Sequence, residues 1–212
     1  MSEVEKSDVA VPAPLDPVAG ALIGVTTTVG TTPAEVLEEL AGAAVRLTAG
    51  AACASVVSRR GKDVRVLFAT HDVVADMSAL GEEERCEPVP DRLVVLGLGD
   101  VTCHQLELDD GSSTHLCVYS RSPSAFDDTA RATLRLLAVH GSVALRAALA
   151  QDEAGNLERA LSSNRMIGTA VGILMAEEKL GAEDALELLR AQSRQRNCAI
   201  DEVAEALVAR QG

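Results

Sequence analysis

The last third of the chain carries the pattern that most constrains the fold. Residues 157–209 contain three helical stretches separated by two short joints. The third stretch is the clearest, because apolar residues from Ile200 to Val208 repeat at the three- and four-residue spacing of a single helix face. Short helices of this kind are stable only when their apolar faces are buried together, so the pattern predicts a compact three-helix unit.

Two glycines, Gly168 and Gly172, lie inside the first of these helices. Each costs about 1 kcal/mol relative to alanine, so a close approach of another group to the helix backbone is expected to offset that cost. The favoured interpretation is that the second and third helices pack closely against the first. The alternative is that the glycines give a ligand access to the backbone.

The order of residues in this region is similar to that of a known family. The shared residues are Ala160-Leu161, Ser163-Asn164-Arg165, Ile167-Gly168, Ala170, Gly172-Ile173-Leu174-Met175-Ala176, Ala185, Leu189-Arg190, Ser193, Asn197, Val203-Ala204 and Val208. They resemble the ANTAR family, the RNA-binding output domain of bacterial transcription antiterminators. The resemblance implies a dimer that binds a tandem stem-loop in a nascent mRNA leader, one loop to each protomer, and so prevents a terminator hairpin from forming.

The resemblance also implies, by position, which residues contact RNA. These residues are Asn164, Arg165, Arg190, Ser193, Arg194, Arg196 and Asn197. No aromatic residue occurs in 157–212, so RNA bases would have to stack on arginine planes. A structural alternative is that the arginines complement the dipole at the end of their helix and that Asn197 caps the following helix.

Charge is unevenly distributed along the chain. Of the net charge of −13, residues 1–153 carry −11 and residues 154–212 carry −2. Because phosphate contacts need cations, this balance excludes a broad basic surface for nonspecific nucleic-acid binding. It allows a small basic patch around Arg190, Arg194 and Arg196.

The first 150 residues have a different organisation. Residues 1–15 are polar and contain prolines, which predicts a disordered leader. The predicted helices are Asp16–Val25, Pro33–Thr48 with Thr32 as its cap, Asp72–Leu80 and a long helix from Ser122; the predicted strands are Ala51–Ser58, Asp63–Ala69, Leu93–Leu98, Val101–Leu108 and Thr114–Arg121. Gly81–Arg92 is predicted as a loop and Asp109-Asp110-Gly111 as a hairpin turn. This order resembles a GAF domain, which implies a sensor or dimerisation unit in residues 16–150.

The predicted fold class is therefore α+β. A GAF-like, mostly antiparallel sheet flanked by helices is followed, in residues 151–212, by an all-α three-helix ANTAR output domain. Alternation along the strands places His115, Cys117 and Tyr119 on one face and Cys103 on a face of the partner strand, as candidate ligand-pocket residues. The five cysteines show no metal-ligand spacing and are interpreted as reduced thiols, and neither a metal site nor a cofactor is predicted.

Taken together, these patterns predict a cytoplasmic RNA-binding regulator rather than an enzyme. An unknown small-molecule or protein signal at the GAF-like domain would control it. Neither a secretory signal nor a membrane span is expected. A seam at alternating three- and four-residue spacing predicts a homodimer through a parallel coiled coil; it consists of Leu157, Leu161, Asn164, Gly168, Val171 and Met175.

Two other functions remain open from the sequence. The first is a dimerisation or protein-interaction module without RNA binding. Val171 and Cys198-Ala199 favour it, since many family members carry basic residues at those places. The second is a methionine sulfoxide reductase that uses some of Cys53, Cys86, Cys103 and Cys117.

Overall fold

A computed structural model describes Gly20 and residues 32–75, 94–108 and 111–210. The chain divides into two compact units, Met1–Ala150 and Gln151–Gly212. The elements in chain order are α1 (Pro33–Leu47), β1 (Cys53–Arg60), β2 (Asp63–Ala69), α2 (Asp72–Ala75), β3 (Asp100–Leu106), β4 (Ser113–Ser120), α3 (Asp128–Glu178), α4 (Ala182–Arg196) and α5 (Ile200–Ala209). The predicted leader, the Asp16–Val25 helix apart from Gly20, the Gly81–Arg92 loop and Asp109-Asp110 lie outside the described residues.

Helix α1 begins where its capping residues predict. The Thr32 hydroxyl accepts a hydrogen bond from the Glu35 backbone N–H, and the Glu35 carboxylate accepts one from the Thr32 backbone N–H at 2.7 Å. Pro33 occupies the first turn, where the absence of an N–H costs nothing. This reciprocal capping box fixes the start of the helix and directs Val36, Leu37 and Leu40 into the core.

The first unit contains a four-stranded antiparallel sheet in the order β2-β1-β4-β3. The α+β prediction is confirmed by this sheet and its helices. One predicted strand, Leu93–Leu98, is wrong within its described part: Val94 and Val95 lie in a helical turn and are exposed, and only Leu98 is buried. A short apolar run does not by itself distinguish a strand from a helical turn.

One face of the sheet carries the main core. Side chains from α1, the strands and the first part of α3 pack there, with Leu40, Leu116, Leu134 and Leu137 fully buried. The opposite face carries a smaller cluster that includes Cys53, Val101, Cys117 and Tyr119. This second face is the candidate sensor surface of the first unit.

Helix α3 begins later than predicted, at Asp128 rather than near Ser122. The intervening segment is held in a non-helical path: Ser124 has a positive φ of 53°, and the Asp100 carboxylate accepts a hydrogen bond from the Phe126 backbone N–H at 3.2 Å. The Asp127 carboxylate then accepts a bond from the Ala130 N–H at 2.7 Å and caps the helix. From there α3 runs for 51 residues without a break, and Gln151–Asn156 is helical.

Length and composition alone would let one 18-residue stretch of α3 cross a membrane, but 44% of that stretch is buried in the protein, as in the core helix of a domain.

In the second unit, the last part of α3 packs with α4 and α5. Its core consists of small and aliphatic side chains: Ala170, Leu174, Ala185, Leu189, Val203, Ala204 and Leu207.

Candidate functional site

The face of α3 that points away from α4 and α5 is exposed in the second unit. Leu157 and Leu161 are each 61% exposed and Met175 is 38% exposed. A Cβ added at Gly168 or Gly172 would meet nothing within 4 Å. The predicted packing of the second and third helices against these glycines is therefore wrong, because the two glycines lie on the opposite face of the helix from the core.

Asn164 lies on this same outer face, at the spacing of the predicted seam, and is exposed. Arg165 follows at the edge of the face and is also exposed. The Arg165 carbonyl accepts a hydrogen bond from the Thr169 hydroxyl at 3.0 Å. The structure thus places both predicted RNA contacts beside the seam rather than beside α4.

Arg190 and Arg194 lie on the outer face of α4. They are one turn apart and exposed, whereas Ala185 and Leu189 on the other face are buried. Arg190 forms a surface ion pair with Glu187 at 2.7 Å. An exposed pair of this kind contributes at most about 1 kcal/mol, so a phosphate could displace the carboxylate.

The end of α4 is built by Ser193 and Asn197. Asn197 adopts the left-handed conformation, with φ 50° and ψ 44°, and so terminates α4. The Ser193 hydroxyl donates a hydrogen bond to the Cys198 carbonyl at 2.7 Å across the joint. The alternative in which Asn197 caps the following helix is wrong, since the N-cap of α5 is Ala199.

Arg196 is separated from the other two arginines of α4. It follows Arg194 by two residues, which turns it by about 200° round the helix. It lines a cleft of about 400 Å³ formed by the end of α3, α4 and α5. Five further polar residues of this cleft were not predicted as site residues, because the cleft exists only once the helices pack: Glu177, Glu178, Gln192, Gln195 and Arg210.

Val171 and Cys198, where many family members carry basic residues, are both half-buried and pack against the core of the second unit. Neither side chain lies on the outer face of α4. The loss of positive charge at these two positions therefore leaves Arg190 and Arg194 in place.

The candidate sensor surface brings together the four predicted pocket residues. Cys103 lies directly opposite Cys117 in the β3–β4 register, and His115 and Tyr119 share that face by alternation along β4. Cys103 and Cys117 form a disulfide across the two strands, with their Cα atoms 4.1 Å apart. The prediction of reduced thiols is wrong for this pair, because the register places the two side chains face to face; Cys53 and Cys198 are free thiols.

Tyr119 is almost fully buried, and its hydroxyl shares a 3.0 Å hydrogen bond with the Ser55 hydroxyl. Burial lowers the pKa of His115; a backbone hydrogen bond at Ser113 opposes that shift and the Arg59 charge adds to it. Burial likewise raises the pKa of the Cys53 thiol. Burial thus favours the neutral form of both groups.

Within residues 32–75, 94–108 and 111–210, no group of three His, Cys, Asp or Glu side chains is arranged to hold a metal ion.

Comparison with known proteins gives one family and one fold. Residues 155–208 match the family described as ANTAR domain. No curated protein matches the chain. Among solved structures, the chain is similar to a bacteriophytochrome from the photosynthetic bacterium R. palustris, with 12% sequence identity and a TM-score of 0.57. That match covers 80% of this chain and 43% of the bacteriophytochrome chain; at this identity it is a likeness of fold, consistent with a GAF-like domain before the ANTAR domain.

Proposed function

Since this chain carries an ANTAR domain, we propose that it is an RNA-binding regulator of transcription antitermination. The observation that carries the proposal is the family match over residues 155–208. The arrangement of α4 supports it, because two exposed guanidinium groups lie one turn apart on a face that takes no part in the core. Such groups can contact phosphates and stack on bases.

The proposed RNA target is a nascent mRNA leader with two hairpin loops. Arg190 and Arg194 would provide the main contacts, and Asn197 would add an amide at the end of the same helix. Ser193 can contact RNA only as an acceptor, because its one hydroxyl hydrogen is donated to the Cys198 carbonyl. Arg165 and Asn164 would contact RNA from α3, and Arg196 from the cleft.

We further propose that the chain acts as a homodimer through the outer face of α3. In the second unit, Leu157 and Leu161 are exposed at the four-residue spacing of a coiled-coil seam, and Gly168 and Gly172 would let a second helix approach closely. The first part of α3 has its own exposed apolar residues, Leu136, Val139 and Val143, at three- and four-residue spacing. A dimer would bury both sets and present two copies of α4 to two loops.

The experiment that tests RNA binding starts from a library of two-hairpin RNAs with randomised loops. The parent protein selects from it, and the selected RNA is titrated against Arg190→Ala, Arg194→Ala and a control, Arg159→Ala. Arg159 is also an exposed arginine of the second unit, but it bonds to Asn156 on α3. We expect a loss of about tenfold in affinity for each α4 variant, a salt dependence reduced by about one counterion, and parental affinity for the control.

Three outcomes separate the alternatives. If no RNA is enriched on a protein that dimerises, the chain is an interaction module. If RNA is enriched but all three variants bind like the parent, the contacts lie elsewhere in the ANTAR domain. If Arg159→Ala weakens binding as much as Arg194→Ala, the effect reflects the overall charge of the unit rather than the face of α4.

Control by the first unit is proposed to act through α3, which belongs to both units. A small molecule or partner protein at the candidate sensor surface would shift the population of α3 arrangements that can bind RNA. The proposed location is the cytoplasm, where leader transcripts are made.

A second candidate function, reduction of methionine sulfoxide, is favoured by one observation, the Cys103–Cys117 disulfide. In such a reaction two thiols would reduce the sulfoxide sulfur, its oxygen would leave as water with the two thiol protons, and the disulfide would form. Turnover of free methionine sulfoxide in the presence of dithiothreitol, lost in Cys103→Ser, would establish it. The absence of turnover in the parent would remove it.

A further inference from the structure

The cleft of the second unit has a mostly polar lining, and Arg196 is the one proposed RNA contact that lines it. The apolar part of its floor is narrow, because Leu174, Val203 and Leu207 are almost fully buried beneath it. Its rim is polar, and carries the amides of Gln192 and Gln195 from α4. The volume of about 400 Å³ lies within the range of about 300–1,000 Å³ that is usual for sites enclosing a small organic group.

The charges on the rim discriminate between possible occupants. Arg196 and Arg210 contribute two positive charges, and Glu177 and Glu178 contribute two negative charges. Arg210 and Glu177 are 4.0 Å apart, so part of the charge is already balanced. Because the two positive and two negative charges cancel, the rim offers a phosphate no net attraction. A neutral flat group that has both donors and acceptors on its edge can bond to carboxylates, amides and guanidiniums together.

We propose that this cleft binds one unpaired nucleobase of the RNA loop. The flat face of the base would lie on this narrow apolar floor and on a guanidinium plane of the rim, because residues 157–212 contain no aromatic residue. The amides and charged groups of the rim would bond to its edge. This inference rests on the proposed function, because it places one base of the RNA that Arg190 and Arg194 hold by its backbone.

The proposal is testable because the two sides of α4 would contact different parts of the RNA, the phosphate backbone on one side and a base on the other. Arg194 and Arg196 are about 200° apart round the helix, so one RNA loop would bend round the end of α4 to reach both sides. Loss of Arg194 should weaken binding whatever the loop sequence is. Loss of the cleft should remove only the energy of the base that enters it.

The experiment blocks the cleft with Ala206→Phe and uses Ala209→Phe as the matched control. Both alanines are exposed on α5, but only Ala206 lines the cleft. The probe is the RNA selected on the parent from the two-hairpin library, together with derivatives in which one loop position at a time is abasic. We expect Ala206→Phe to lose about tenfold in affinity and Ala209→Phe to bind like the parent, with circular dichroism showing equal helicity.

The abasic series makes the assignment specific. RNA that is abasic at one particular loop position should bind the parent about tenfold more weakly than intact RNA. Ala206→Phe and Gln192→Ala should bind that abasic RNA and the intact RNA equally well, because each variant has already lost the same contact. In Arg194→Ala, the same abasic position should still cause its full loss. If Ala206→Phe retains parental affinity, or if every abasic loss is additive with it, the cleft does not hold a base. If the parent enriches no RNA at all, the proposed function fails as well, a result distinct from these.

Discussion

Gly141 and Gly172 lie on the same 51-residue helix, yet their surroundings differ completely. A Cβ added at Gly141 would come within 2.6 Å of a methyl carbon of Leu40, a buried side chain of α1. A Cβ added at Gly172 would meet nothing within 4 Å. The helix is therefore closely packed against α1 at Gly141 and open at Gly172.

The largest expected effect is the loss of stability of the first unit when the Cys103–Cys117 disulfide is removed. The Cys103–Cys117 disulfide spans 14 residues, and closing a loop of about 15 residues stabilises a fold by about 3 kcal/mol. We expect Cys103→Ser/Cys117→Ser to lose about that much free energy of unfolding. Tyr119 is the only tyrosine of a chain without tryptophan, so its fluorescence in a urea titration reports this unit.

Two controls accompany that measurement. Cys198→Ser removes a free thiol of the second unit and should leave the Tyr119 transition unchanged. Reduction of the parent should reproduce the double variant. If oxidised and reduced parent unfold at the same urea concentration, the disulfide does not stabilise the first unit.

The next effect concerns Gly141 itself. Gly141→Ala should destabilise the first unit by about 1–3 kcal/mol, because Leu40 is fully buried and has little room to move. In a Leu40→Ala background the same change should cost much less, since the added methyl group enters the space that leucine leaves. Equal losses in both backgrounds, measured by the Tyr119 transition, would show that the contact with Leu40 is not the cause.

The glycines of the second unit should respond with the opposite sign. Gly168→Ala and Gly172→Ala should each raise helix stability by about 0.5–1 kcal/mol, because the new methyl group meets open space. Both should weaken self-association in sedimentation equilibrium if a second helix packs there. Gly155→Ala is the matched control: its Cβ also meets nothing, but it lies about 140° round α3 from Gly168, so it should stabilise the helix and leave the dimer unchanged. Unchanged association in all three variants would place the dimer interface elsewhere.

Local signals predicted the elements better than they predicted the sites. Thr32 as a cap predicted the start of α1, and the apolar repeat from Ile200 predicted α5, because both signals depend on neighbours within one turn. The late start of α3 depends on Asp100, 26 residues away from Phe126 in sequence, and no local pattern reveals such a bond.

The candidate sites show the same limit more strongly. Alternation placed Cys103 and Cys117 correctly on their strands, but their direct pairing depends on the register that the hairpin sets. The cleft takes its rim from α3, α4 and α5 together, so Gln192 and Arg210 had no signal in the sequence. Gly168 and Gly172 suggested a close approach of the second and third helices, but only the packed structure shows that a Cβ at either position would meet nothing within 4 Å.

The smallest expected effect is a pH dependence of the stability of the first unit. All four histidines lie in the first unit, and burial lowers the pKa of both His104 and His115 below the ordinary value of 6.5. The unfolded chain therefore binds more protons than the folded one just below pH 6.5, so stability is complete above that pH and falls as the pH drops toward the folded-state pKa values. We expect the Tyr119 transition to move to lower urea between pH 7.5 and 5.5, and His104→Gln/His115→Gln to reduce that movement. If the double variant moves as far as the parent between these two pH values, groups other than His104 and His115 cause the pH dependence.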